Sequence, residues 1–393
     1  MKKILLTLIL MALFLAACGP DPIQFPKIDR HPEPVSYAGF NTYSEPPKYD
    51  PNSTDTWQMD LRSADLSHLD LSQSGNDLMY ATFDSKTIWP ENIPADFDWR
   101  AIMEIGKNPG LGVGKLHEQG ITGKGIGIAI IDQPLVVEHQ EYATQLRLYE
   151  EINIQAGTEA QMHGPAVASI AVGKTVGVAP DADLYYIATQ VGIFDGQGGF
   201  VYDFSNVARA VRRVIEINTQ LPSDRKIRVI SISVGWQKDQ KGYAEIVEAV
   251  EEAEKAGMLV MYANQKLIGI GRAPLNDPDA FQSYEPGLFW AKNFYANPLY
   301  DNLLLVPMDS RTTASPTGKN EYVFYRTGGV SWAIPYIAGM YALAAQVKPQ
   351  ITPQEFWKIA LETGQTIEII HEGQTHQLGP ILDPVALIAE LQQ

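Results

Sequence analysis

An α/β fold, with a parallel central sheet flanked by helices, is predicted by three features of the sequence. The first is a set of short, continuous apolar runs at 126–131, 184–188, 229–234 and 258–263, the pattern of parallel strands buried on both faces. The second is the helical spacing between them. Val207, Ala210, Val211, Val214 and Ile215 share one face, as do Tyr243, Ile246, Val247, Val250 and Ala253, with Gly257 placed to end that helix. Strands alternating with helices imply a parallel sheet. The third is that Asp132, Ser233 and Asn264 sit at the carboxyl ends of three of these runs, where sites in parallel sheets gather.

From the N-terminus, Met1-Lys2-Lys3 and the apolar run 4–17 have the basic start and short apolar core of a secretory signal, too short to span a bilayer. The run ends Leu15-Ala16-Ala17-Cys18, which resembles the lipobox of bacterial lipoproteins, in which the cysteine is acylated and becomes the mature N-terminus. The expectation is a signal peptide over 1–17 and an extracytoplasmic, membrane-anchored protein. Cys18 is the only cysteine, so an intramolecular disulfide and a Cys-rich metal site are both excluded. The formal charge of −16 becomes −18 once Lys2 and Lys3 are removed, which argues against nucleic acid as a partner. A chain of 393 residues, 45% apolar, can bury a large core by itself, and a monomer is expected.

Residues 18–56 form a Pro-rich tether, with prolines at 20, 22, 26, 32, 34, 46, 47 and 51. The segment 57–106 contains Asp60-Leu61, Asp65-Leu66 and Asp70-Leu71, a five-residue recurrence resembling a scrap of pentapeptide repeat. Three units are too few to bury a core alone, so the segment is expected to dock on the main domain, 107–393. The glycines at 110–125 precede a strand instead of following one, which weakens a phosphate-loop reading. Residues 273–319 read as long loops around a short strand at 303–306. Surface helices are expected at 353–363 and 382–392, with a hairpin over 366–370 and 375–378 between them.

Four segments carry chemistry. Ile131-Asp132 ends a strand in a carboxylate, with His139 following; His163-Gly164 opens an apolar helix; Ala263-Asn264 ends another strand; and Gly328-Gly329-Val330-Ser331 turns into a helix whose apolar face includes Ile334, Ile337, Ala338 and Tyr341. A serine hydroxyl needs a base to become a nucleophile. Histidine is suited to that task, a buried carboxylate orients it, and helix N-terminal N–H groups with an amide can stabilise an oxyanion. In the order Asp, His, Ser, these segments resemble the subtilase family of subtilisin-like serine peptidases over about 107–348. Gly177-Val178-Ala179-Pro180 and the Gly329-x-Ser331-x-Ala333-x-Pro335 segment with Ala338-Gly339 also match the family.

The resemblance implies a triad of Asp132, His163 and Ser331, with Asn264 as oxyanion donor. It further implies a peptide or protein substrate lying extended between two backbone edges, Ser233-Val234-Gly235 and the stretch holding Gly198 and Gly199. Gln133-Pro134, Pro165-Ala166, Ala263, Val330, Trp332, Ile334 and Tyr336 depart from the family's usual residues. The segment 171–177 is short where members that bind calcium have a longer loop, so the resemblance leaves calcium possible but not indicated, and no other cofactor or metal is expected. The resulting expectation is a lipid-anchored serine endopeptidase. Its rivals are an inactive subtilase-like domain that binds peptides or envelope components, and a tethering module built on the Asp-Leu repeat.

Overall fold

The structure, a computed structural model, describes residues 23–53, 55, 57–194, 196, 199–263, 266–296 and 303–393. Cys18 with the whole signal segment, Gly198 and Asn264 lie outside the described residues. At the centre stands a six-stranded, all-parallel sheet in the order Lys27–Ile28, Leu146–Ile152, Asp183–Thr189, Gly127–Asp132, Ile227–Ile232, Leu259–Tyr262. The apolar runs are continuous because both faces are covered. Ile128 and Ile130 point to the helices His163–Val172 and Val330–Val347, whereas Ala129 and Ile131 point to Ser205–Gln220 and Tyr243–Lys255. Val330–Val347 is long and apolar enough to cross a membrane, but it is mostly buried as the core helix of the domain. The strand order reverses at Gly127–Asp132, so the gap between its carboxyl end and that of Ile227–Ile232 is the crevice where such sheets bind ligands.

The stretch 273–319 is more ordered than its composition suggests. It contains the strands Tyr284–Pro286, Leu304–Pro307 and Arg311–Ala314 and the helix Ala291–Ala296. Just before it, Leu267–Arg272 joins Tyr284–Pro286 on one side and Leu304–Pro307 on the other, and the hairpin Gln365–His371/Gln374–Ile381 completes a second sheet of five strands. Glycines hide this strand from its apolar pattern. Gly269 and Gly271 leave one face bare, and the side chains of Met308 and Asp309 fill it. Arg272, 1% exposed, then donates to the carbonyls of Ala273, Pro274, Asn276 and Ser310 and pins the loop that follows. The helices Pro353–Glu362 and Pro384–Leu391 form as expected, each burying one face, Phe356 and Ala360 in the first and Leu387, Ile388 and Leu391 in the second, and leaving the other exposed.

The segment expected to be a tether is bound to the domain from residue 27 onward. Lys27–Ile28 adds an edge strand to the central sheet, Arg30 makes a two-pronged contact with Glu151 at 2.7 and 2.8 Å, and Val35 N–H bonds the Pro316 carbonyl. Beyond it the Asp-Leu repeat forms a coil. Leu61, Leu66 and Leu71 are all fully buried, and their N–H groups bond the carbonyls of Thr82, Ile88 and Asn92 on a second pass of the chain. The aspartates turn each corner, because the Asp65 and Asp70 carboxylates accept the N–H two residues on, from Ser67 and Ser72, both at 3.0 Å. The coil's small core includes Phe83 and Phe97 and closes on Ile102, Met103 and Phe324; Phe83–Asp84 also pairs with Tyr322–Tyr325. Two passes and a docking face thus supply what three repeats lack. Leu66→Ala is expected to cost about 2–5 kcal/mol in denaturant unfolding, as for a buried core leucine. A loss below about 0.5 kcal/mol, the size of a surface effect, would show that the coil is not packed this way.

Candidate active site

Asp132 is the last residue of its strand, and its carboxylate is 6% exposed. Opposite it, His163 begins the helix His163–Val172, and its Nδ1 stands 2.8 and 2.9 Å from the two carboxylate oxygens. The approach requires Gly164, since a Cβ there would collide with the Gln133 carbonyl and stand 2.7 Å from the Tyr186 hydroxyl. The Gln133 N–H donates to Asp132 at 2.7 Å and the Gln133 side-chain carbonyl receives the His163 N–H at 3.4 Å, so Gln133 braces both partners. With Asp132 as acceptor, Nδ1 carries the proton and Nε2 is left as the basic nitrogen. Burial of the ring opposes its positive charge, yet the Coulombic pull and hydrogen bond of Asp132 prevail and raise the imidazole pKa above 6.5.

Ser331 stands in the first turn of Val330–Val347, after a Gly329 held at φ +93°, a conformation costly for any residue with a Cβ. His163 and Ser331 line the same cavity. The Ser331 hydroxyl donates to the Ser233 carbonyl at 3.1 Å, while the Ser233 hydroxyl donates to the Ser331 carbonyl at 3.1 Å. Pro335 explains the second bond. It lies deeper than the first turn, and because it has no N–H, the Ser331 carbonyl four residues back is free for Ser233. The helix N-terminus presents N–H groups and a positive dipole end beside the serine, suited to a developing negative charge. Trp332 packs against the His163 ring at 5.3 Å and against Tyr325 at 5.2 Å.

Ser233 and Val234 line a second cavity with Asp132, Gln133, His163 and residues 189–191, and Gly235 lies against Ala263, whose carbonyl a Cβ at 235 would strike. Of the other expected edge, Gly198 lies outside the described residues. Gly199 precedes the exposed strand Phe200–Tyr202, which pairs with Gly192–Phe194, and neither cavity beside His163 is lined by it. His139 is buried away from the site. Its Nε2 faces the Glu321 carbonyl at 2.8 Å and its Nδ1 accepts the Glu141 N–H at 3.2 Å, a structural brace whose pKa burial lowers. Among the described residues no cluster of three or more His, Cys, Asp or Glu is arranged to hold a metal.

One residue of the site was missed in the sequence. Asp309, 1% exposed, accepts the N–H of Gly328 at 2.8 Å through one oxygen and that of Leu288 at 2.8 Å through the other, and so holds the turn before Ser331. Burial pushes its pKa up to about 6, partly offset by the Arg326 guanidinium and the two N–H groups. Its only local signal was a charged run, Asp309-Ser310-Arg311, following an apolar strand.

The His163 titration can be followed by NMR of its ring protons. A midpoint above 6.5 is expected, and it should fall below 6.5 in Asp132→Asn, where burial acts without the carboxylate. Because the folded-state value is raised, the stability that the pair contributes is full below the unfolded-state pKa and is lost as pH rises through the folded one. An unchanged midpoint in the variant would show that the carboxylate does not govern the imidazole.

Residues 123–290 match the Subtilase family, a span that includes Asp132 and His163 and stops before Ser331. A curated relative, "Subtilisin-like protease PopC" of Myxococcus xanthus (strain DK1622), is 22% identical over 305 residues, covering 68% of this chain and 61% of its own length. Among solved structures, the Prenylagaramide maturation protease PagA overlays with a TM-score of 0.45 at 16% identity, covering 71% of this chain and 98% of that one. What the chain is similar to, by the family match and by its curated relative, is the subtilase family of serine peptidases.

Proposed function

We propose that the protein is a serine endopeptidase of the subtilase family in which Asp132, His163 and Ser331 form the triad. The observation that carries this reading is the buried Asp132–His163 pair, which faces Ser331, at a helix N-terminus, across one cavity. In the reaction, Ser331 Oγ leaves the Ser233 carbonyl and attacks the scissile carbonyl carbon while His163 Nε2 takes its proton. Asp132 stabilises the imidazolium. The oxyanion is received by N–H groups of the helix's first turn and by Asn264, to which this role is assigned on the resemblance alone. His163 then protonates the departing amine, and water, activated by the same ring, releases the acyl group.

The extended substrate pairs with the Ser233-Val234-Gly235 edge, of which Ser233 and Val234 line the cavity beside Asp132. The rival reading, an inactive peptide-binding domain, draws on the Ser331 hydroxyl being hydrogen-bonded to Ser233. A serine-directed fluorophosphonate separates the two. Labelling of the wild type is expected, with complete loss in Ser331→Ala; Asn264→Ala should lower kcat by roughly 10²- to 10³-fold, typical of removing one oxyanion donor. A folded wild-type protein that takes no label would leave only the inactive-domain reading.

The Leu15-Ala16-Ala17-Cys18 signal supports a lipid anchor at Cys18, outside the cytoplasm, with peptides or proteins of that compartment as substrates. Stable anchoring takes two or more acyl chains. Cys18→Ser should therefore move the protein from the membrane to the soluble fraction, and retention as firm as wild type would refute the anchor.

A further inference from the structure

Two cavities flank the His163 ring. The smaller, about 150 Å³, lies against Ser233 and Val234; the larger, about 520 Å³, lies against Ser331 and Trp332. The α/β domain builds only part of the larger one. Trp57, Met59 and Tyr80 of the N-terminal segment line it together with Phe289, Tyr325 and Trp332 of the main domain. At its rim, Trp57 and Phe289 are 54% and 56% exposed, with ring centres 5.8 Å apart, one from each part of the chain. Large exposed aromatics beside a reactive serine are costly in water unless something covers them during function. The cavity is also neutral in sum. Asp60 and Arg62, which line it too, satisfy each other through contacts of 2.8 and 2.6 Å.

The position of this cavity tells which part of a substrate would enter it. A peptide paired with the Ser233–Gly235 edge and carrying its scissile carbonyl to Ser331 has its acyl half on the side of the smaller cavity. Past the scissile bond, the other half continues on the opposite side of His163. We propose that the larger cavity receives the side chains that follow the scissile bond, and that the N-terminal coil, through Trp57, selects a large, neutral apolar or aromatic residue there. The coil then acts as a specificity wall of the enzyme. Attachment of the coil next to the nucleophile fits that role: the Arg326 N–H donates to Thr82 Oγ1 at 3.2 Å and its Nε to the Met79 carbonyl at 3.0 Å, five residues before Ser331.

This inference rests on the serine-peptidase reading, and the test keeps the two apart. Fluorogenic peptides identical up to the scissile bond, carrying Phe, Leu, Ala, Asp or Lys at the first or second position after it, are compared by kcat/KM. Phe and Leu should exceed Ala, Asp and Lys by about 10- to 100-fold, the discrimination an apolar pocket provides. In Trp57→Ala and in Phe289→Ala, with folding checked by melting temperature, that ratio should fall several-fold. A fluorophosphonate-labelled, active enzyme with a flat profile, or with the same preference in both variants as in the wild type, overturns the inference alone. A protein that neither labels nor cleaves overturns it together with the reading beneath it.

Discussion

The contact on which the site depends is the approach of the His163–Val172 helix to the end of the Gly127–Asp132 strand. It is close enough that only glycine fits at 164, and it brings the imidazole within 2.8 Å of a carboxylate that is almost wholly desolvated. Burying such a pair carries a desolvation cost, which the short contacts between its members and the added Gln133 N–H offset. The two braces from Gln133 come from the residue directly after the aspartate. That residue serves the geometry through its backbone N–H and a long amide.

The serine's side of the site is held by a different kind of force. A buried carboxylate, Asp309, clamps the Gly328 turn to the Leu288 loop, although burial raises its pKa from 3.8 to about 6. The sign of that shift matters. A raised carboxylate pKa means that the folded state binds the proton more tightly, so stability falls as pH rises from about 3.8 to about 6 and the ionised clamp costs on the order of 3 kcal/mol. Asp309 is therefore better understood as setting where the turn sits than as holding the fold together. Pro335 acts in the same direction by releasing the Ser331 carbonyl to Ser233, which ties the serine to the neighbouring strand end.

Between these two supports, the N-terminal coil is an extension of the domain and not a bystander. Its leucines fill a core that the following helix Trp99–Ile105 completes through Ile102 and Met103 and the main domain through Phe324, and its second pass hydrogen-bonds the segment leading to Ser331. A five-residue repeat can afford so few units because the α/β domain covers one side.

The sequence by itself determined the class of fold, the strands at 127–132, 183–189, 227–232 and 259–262, and the placing of Asp132, His163 and Ser331 at element ends, because these follow from local periodicity and from short motifs. Tertiary structure alone decided the strand Leu267–Arg272, whose bare glycine face has no pattern until Met308 and Asp309 cover it, and the role of Asp309, a charge that is silent until the carboxylate is buried under a turn. It also decided that Ser233 and Val234 line the cavity beside Asp132 and His163, a placement set by the packing of Gly235 against Ala263 beyond strand Leu259–Tyr262. The reason is common to all three. Periodicity records what each residue does within its own element, whereas clamps, bare faces and cavity walls are made between segments tens to hundreds of residues apart.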